Sequence, residues 1–211
     1  MPRIISFGCS NTFGLELEGI TVNDLPSRLS YPSLLDAANL AIPGASNKEM
    51  MLKILDTDFL STDVVTILWT YPKSRTVLFH EKGDRMRKWQ LLAGEKIVYD
   101  NMNLETKQVA LAWQKFNILR SVKDAMYDEY HYIKTANLYL QSCGCKVINM
   151  HCDDTYNRWT PNDDRIPASL YTELADVTNV FTKKDRCEFG HPGPIAHRRL
   201  AKWIQRCLNL L

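Results

Sequence analysis

The chain has 211 residues, of which 45% are hydrophobic, and a formal net charge of +2. These values fit one globular domain with a sizeable core. The charge is too small to argue for a nucleic-acid partner. No apolar run approaches the roughly 20 residues that span a bilayer. The N-terminus, MPRIISFGCS, meets Gly and polar residues too soon for a signal peptide, so a cytoplasmic location is expected.

In chain order, Ile4 to Phe7 reads as a short apolar strand broken at Gly8. Residues 31 to 40, YPSLLDAANL, read as a helix opened by Pro32. NLAIPGASN then gives a short strand ending in a Pro-Gly loop. Met50, Met51, Ile54 and Leu55 recur at helical spacing, and Ser46 with Glu49 three residues on forms a capping box. Residues 63 to 71, DVVTILWTY, are apolar or β-branched almost throughout, as in a strand buried on both faces. Residues 72 to 103 read as an irregular, polar insertion rich in Lys and Arg, too long for a simple connection.

From Leu104 to Ser142 the period is helical and long enough for two helices, with Gly144 as the stop. Residues 145 to 152, CKVINMHC, form another buried strand. A polar loop through Pro161 and Asp164 follows, then a short helix near Ala168 to Leu174. The last segment is amphipathic, with Ile195, Leu200, Trp203, Ile204, Cys207 and Leu208 facing inward. Strands alternate with helices, so the expected fold is a single α/β domain over 1–211, a three-layer αβα sandwich on a parallel, flavodoxin-like sheet.

The six cysteines are irregularly spaced and contain no CxxC, which reads as reduced thiols. His151, Cys152, Asp153, Cys187 and His191 are possible zinc ligands, but no pair has the spacing of a zinc knuckle or a zincin helix. No metal or cofactor is expected.

In a parallel sheet, ligands sit beyond the carboxyl ends of the strands. Gly8-Cys9-Ser10, Gly44 to Asn47, and Trp69-Thr70-Tyr71 reach that edge, as does the loop DRCEFGHPGPIAH before the last helix. Ser10 is either a nucleophile or a helix N-cap. Glu188 lies three residues before His191 and can hold one ring nitrogen, which leaves the other to take a proton from the Ser10 hydroxyl. Backbone N–H groups at Ser10 and Gly44 can receive a developing oxyanion. Cys9 is an alternative nucleophile. Asn47 is either an oxyanion or substrate contact or a helix-start residue.

The blocks FGCSNTFG, NLAIPGASN and EFGHPGPIAH resemble, in order, those of the SGNH (GDSL-type) hydrolases. The resemblance implies Ser10 as nucleophile, Gly44 as an oxyanion donor, Glu188 and His191 as the acid and base, and His197 as a second, non-catalytic histidine. It implies a serine esterase acting on a small-molecule or carbohydrate ester, such as an O-acetyl group. In the third block the family carries an Asn donor, where this chain reads ILWTYPKSR. Thr70, Ser74 or Arg75 would have to substitute, as in a divergent, phage or viral branch of the family. Two other readings remain: a catalytically weak or inactive domain of this type that binds carbohydrate or a protein, and a flavodoxin-like phosphate or nucleotide binder using Ser10, Asn11 and Thr12.

Overall fold

The computed structural model describes residues 2–71, 75–82, 85–92, 104–152, 174–181, 184–188 and 191–209. Its sheet has five parallel strands in the order β2-β1-β3-β6-β7, where β1 is Ile4–Phe7, β2 Ala38–Asn39, β3 Val64–Trp69, β6 Lys146–His151 and β7 Leu174–Asp176. β3 is buried at every position, as its unbroken apolar run requires. Between β3 and β6 the chain makes a separate antiparallel ribbon of β4 (Arg75–Lys82) and β5 (Arg85–Leu92). Leaving out that ribbon, the strand order is that of a flavodoxin-like sheet, with its switch point between β1 and β3.

Helices cover both faces. α3 (Asn47–Leu55) and α5 (Val122–Ser142) bury Met50, Ile54, Met126, Ile133 and Leu140 against Ile5, Phe7, Val65, Ile67 and Trp69. α2 (Tyr31–Leu34) and α6 (Pro194–Leu208) bury Tyr31, Leu200 and Ile204 against Leu68, Ile148 and Met150. The period-2 alternation of β3 thus feeds two cores. Each fully buried Ile or Leu contributes about 1.5–3 kcal/mol. Polar side chains inside are paired across elements. Ser6 Oγ meets Thr66 Oγ1 at 2.8 Å, Trp69 Nε1 donates to Asn149 Oδ1 at 2.9 Å, and Asn149 Nδ2 donates to Asn137 Oδ1 at 2.9 Å.

The helix pair at 104–142 is α4 (Leu104–Leu119) followed by α5, whose Ser121 cap accepts from Asp124 N at 3.0 Å. Ser46 Oγ accepts from Glu49 N at 3.2 Å, as its capping box requires. Three expectations are corrected. The helix at 31–40 stops at Leu34, because Asp36 takes a left-handed φ of 54° and β2 begins two residues later. Residues 72–103 are not irregular throughout, since 75–92 supplies the ribbon; the cations had masked its alternation. Ile195 sits in the first turn of α6 and is 45% exposed, while Ala196 and His197 turn inward. The helix expected near 168–174 lies outside the described residues except Leu174, which opens β7. The loop through Pro161 and Asp164 also lies outside them.

Candidate active site

The turn after β1 is built around Gly8 and Ser10. A Cβ on Gly8 would meet Thr12 Oγ1 at 1.9 Å, so only glycine lets the chain turn into α1 (Ser10–Phe13) at this point. Cys9 caps that short helix, its carbonyl accepting from Thr12 N and Phe13 N at 3.0 Å. Its side chain belongs to the main core. Ser10 is 3% exposed, and its Oγ lies 4.0 Å from Cys9 Sγ. Among the described residues, no hydrogen bond joins Ser10 to His191.

The second loop is tied to the first. Ile42 N donates to Gly8 O at 3.0 Å, and Gly44 follows in a left-handed conformation, φ 76°. A left-handed φ with no side chain is what glycine supplies most readily. Gly44 and Ser10 therefore belong to two loops laced together at the carboxyl edge of β1.

His191 is held from an unexpected direction. Glu16 Oε2 sits 2.5 Å from His191 Nδ1 and also accepts the His191 backbone N–H at 3.2 Å. With a carboxylate at Nδ1, the neutral ring carries its proton there and leaves Nε2 as a hydrogen-bond acceptor. Glu16 adopts φ 68°, uncommon for a residue with a side chain, and its N–H donates to Ile20 O at 3.0 Å. Both side chains are largely buried.

The sequence had assigned this carboxylate to Glu188. Instead Glu188 is exposed, within a tight loop in which Cys187 N donates to His191 O at 2.9 Å and Arg186 bridges to Pro192. Asp185 closes the base of that loop. Its carbonyl accepts from Gly193 N at 2.9 Å and its Oδ2 from Ala196 N at 2.5 Å, which caps α6. Gly193 is required because a Cβ there would meet Asp185 Oδ1 at 2.4 Å. Neither Glu16 nor Asp185 was singled out from the sequence. Asp185 was legible in principle as an acid ahead of Pro194 and a helix; Glu16 carried no local signal.

Asn47 is scaffold. Its Nδ2 donates to Thr70 O at 3.0 Å and to Glu129 Oε2, while its Oδ1 accepts from Thr70 N at 2.7 Å. Both amide hydrogens are taken, which leaves none for an oxyanion and favours the helix-start alternative, Asn47 being the first residue of α3. It staples α3 and α5 to the end of β3. Burial pushes the Glu129 carboxyl well above its usual range, more than the Asn47 hydrogen bond and Arg120 pull it down. Thr70 is 1% exposed with its backbone fixed by Asn47, and Arg75 opens β4 opposite Leu92.

His197 is fully buried in α6. Its Nδ1 accepts from Tyr31 N at 3.0 Å, and desolvation lowers its pKa to about 4, so it is neutral. It joins α6 to α2.

A cavity of about 30 Å³ marks the edge itself. Asn11, Tyr71, Cys152, Asp185, Arg186 and Pro192 line it, so neighbours of Ser10, β3, β6 and His191 share one small cleft. Asn11 Nδ2 donates to Cys152 Sγ at 3.7 Å across it. A cleft of this size admits a group about as large as one water molecule. A cavity of about 670 Å³ opens at the other end of the sheet among Ile4, Val64, Lys146 and Leu208, where strands begin and none of the candidate groups lies. Among the described residues, no helix is long and apolar enough to cross a membrane. No protein-family model matches the chain, and no significant match is found among curated proteins.

Proposed function

We propose that the protein is a serine esterase in which Ser10 is the nucleophile, His191 the general base and then acid, and Glu16 the carboxylate that holds His191. The observation that carries this reading is the His191–Glu16 contact, next to the cleft that Pro192 and Asn11, the neighbours of His191 and Ser10, both line. A carboxylate on Nδ1 fixes the tautomer whose Nε2 accepts a hydroxyl proton. Ser10 Oγ then attacks the ester carbonyl and the alcohol departs with the proton from His191. Water reverses the sequence to release the acid. Backbone N–H groups of Ser10 and Gly44 are the proposed oxyanion donors. The mechanism requires Ser10 Oγ to exchange its contact with Cys9 Sγ for one with His191 Nε2 when substrate binds, since hydrogen bonds of an empty site tighten in the reactive complex. An acetyl ester on a carbohydrate is the substrate class that the resemblance to SGNH hydrolases suggests.

Two observations favour a second reading, a binding domain with little or no turnover. The Asn47 amide is fully taken, and Ser10 is not hydrogen-bonded to His191. A fluorophosphonate probe separates the two. The esterase is labelled once, at Ser10, and Ser10→Ala loses both label and p-nitrophenyl acetate hydrolysis. An unlabelled wild-type chain removes the esterase reading, and a label that survives Ser10→Ala moves the nucleophile to another residue such as Cys9.

A further inference from the structure

The β4–β5 ribbon carries an arrangement of charge that its own stability does not explain. Its register sets Lys82 opposite Arg85 and His80 opposite Arg87, with Leu78 opposite Trp89 and Thr76 opposite Leu91 next along. Directly opposed residues of an antiparallel pair share a face, so these eight positions form one face, and none of them is acidic. On the other face Glu81 falls opposite Met86, Lys88 opposite Phe79 and Arg75 opposite Leu92, so that face mixes signs; Asp84 lies outside the described residues. Opposed cations are unfavourable across a ladder, and an isolated two-stranded ribbon is marginal to begin with. Lys82 and Arg85 form such a pair at neutral pH, and His80 and Arg87 form another whenever the imidazole is protonated. A merely solvated face would mix signs. A face with cations and no acid, its charged pairs consecutive along the ribbon about 7 Å apart, suits a chain of anions laid along it.

We propose that the β4–β5 ribbon is a recognition arm for an acidic polysaccharide, its binding face being the one that sets Lys82 opposite Arg85, His80 opposite Arg87 and Leu78 opposite Trp89. The choice of carbohydrate over nucleic acid rests on the esterase reading and on two further observations. The chain's net charge of +2 gives little general field for a phosphate backbone. The arm also begins six residues beyond the end of β3, at the edge that bears Ser10. A Trp next to a row of cations matches a sugar polymer that presents ring faces and carboxylates in turn. The arm would hold the polymer while the ester is presented to the site.

The test uses the full chain as Ser10→Ala, so that nothing is consumed, with polygalacturonate, uncharged amylose and single-stranded polyadenylate as probes. The expected result is salt-sensitive binding of polygalacturonate, much weaker binding of the other two, and an affinity loss of at least about tenfold in Arg85→Glu/Arg87→Glu. With Ser10 intact, the same double substitution leaves p-nitrophenyl acetate hydrolysis unchanged. Lys82→Glu, which converts one opposed pair to opposite charges, lowers affinity while the melting temperature holds or rises, and this keeps the test decisive if the double variant does not fold. Unaltered affinity in these variants overturns the proposal, as does polyadenylate binding as tight as polygalacturonate. Polygalacturonate binding in a chain that no fluorophosphonate labels leaves the arm standing and removes the esterase. Labelling without polygalacturonate binding does the reverse.

Discussion

Glu16 makes two hydrogen bonds to one histidine from a backbone conformation that side chains disfavour. A residue kept at φ 68° is held there by its surroundings, and the contact with His191 is the one it makes with the proposed chemistry. Glu16→Gln preserves shape and removes the charge, and should lower kcat/KM for p-nitrophenyl acetate at least about a hundredfold. Glu188→Gln, at an exposed position, should leave it within about twofold. Equal losses in the two variants would restore Glu188 as the partner of His191. Ser10 and His191 were singled out from short blocks, one after β1 and the other ahead of α6, for the roles proposed above. Glu16 was not, because GLELEGI has the look of a solvated loop and its partner is 175 positions away. Glycine is common at a left-handed φ and flags it in a sequence; glutamate carries no such flag.

Among the elements, the junction of α3, β3 and α5 rests on Asn47. Its amide satisfies both backbone groups of Thr70 and one oxygen of the buried Glu129. Asn47→Ala leaves those groups without that partner, and should destabilise the fold by about 2–4 kcal/mol in urea titration. A cost below about 0.5 kcal/mol would mean that the junction does not depend on it. The start of α3 could be read from Ser46 and Glu49, and the burial of β3 from its apolar run. The use of Asn47 could not, because Asn opens many helices and its partners lie 23 and 82 residues away. The ribbon at 75–92 was missed because Lys and Arg recur through β4 and β5 and interrupt the alternation by which a half-buried strand is read. The early stop of the helix at 31–40 was missed because Leu35, Ala37 and Ala38 suit a helix, and the left-handed turn at Asp36 is set by tertiary context.

Across the whole molecule, acid should act through His197. Folded, it is neutral and buried with a pKa of about 4, against an ordinary value of 6.5. The unfolded chain therefore binds a proton that the native chain refuses, and stability falls as pH drops from about 6.5 towards 4. The loss approaches about 3 kcal/mol at the lower limit. Urea midpoints measured from pH 7 to pH 4 should show this slope, and His197→Gln should flatten it; an unchanged slope would place the acid sensitivity elsewhere. Asp63 acts in a lower range, because Arg3, 2.5 Å away, holds its carboxyl below the usual value. Its contribution is present at neutral pH and is lost as pH falls through that lowered value. The β-ribbon pairs only with itself, from Arg75↔Leu92 at its base to Lys82↔Arg85, and adds no strand to the five-stranded sheet. Chain enters and leaves it at neighbouring points. Such a segment behaves as a cassette: lineages can lengthen it, recharge it or trade it for another without re-registering a single strand of the parallel sheet, so the proposed polymer binding and the proposed hydrolysis are free to evolve at different speeds.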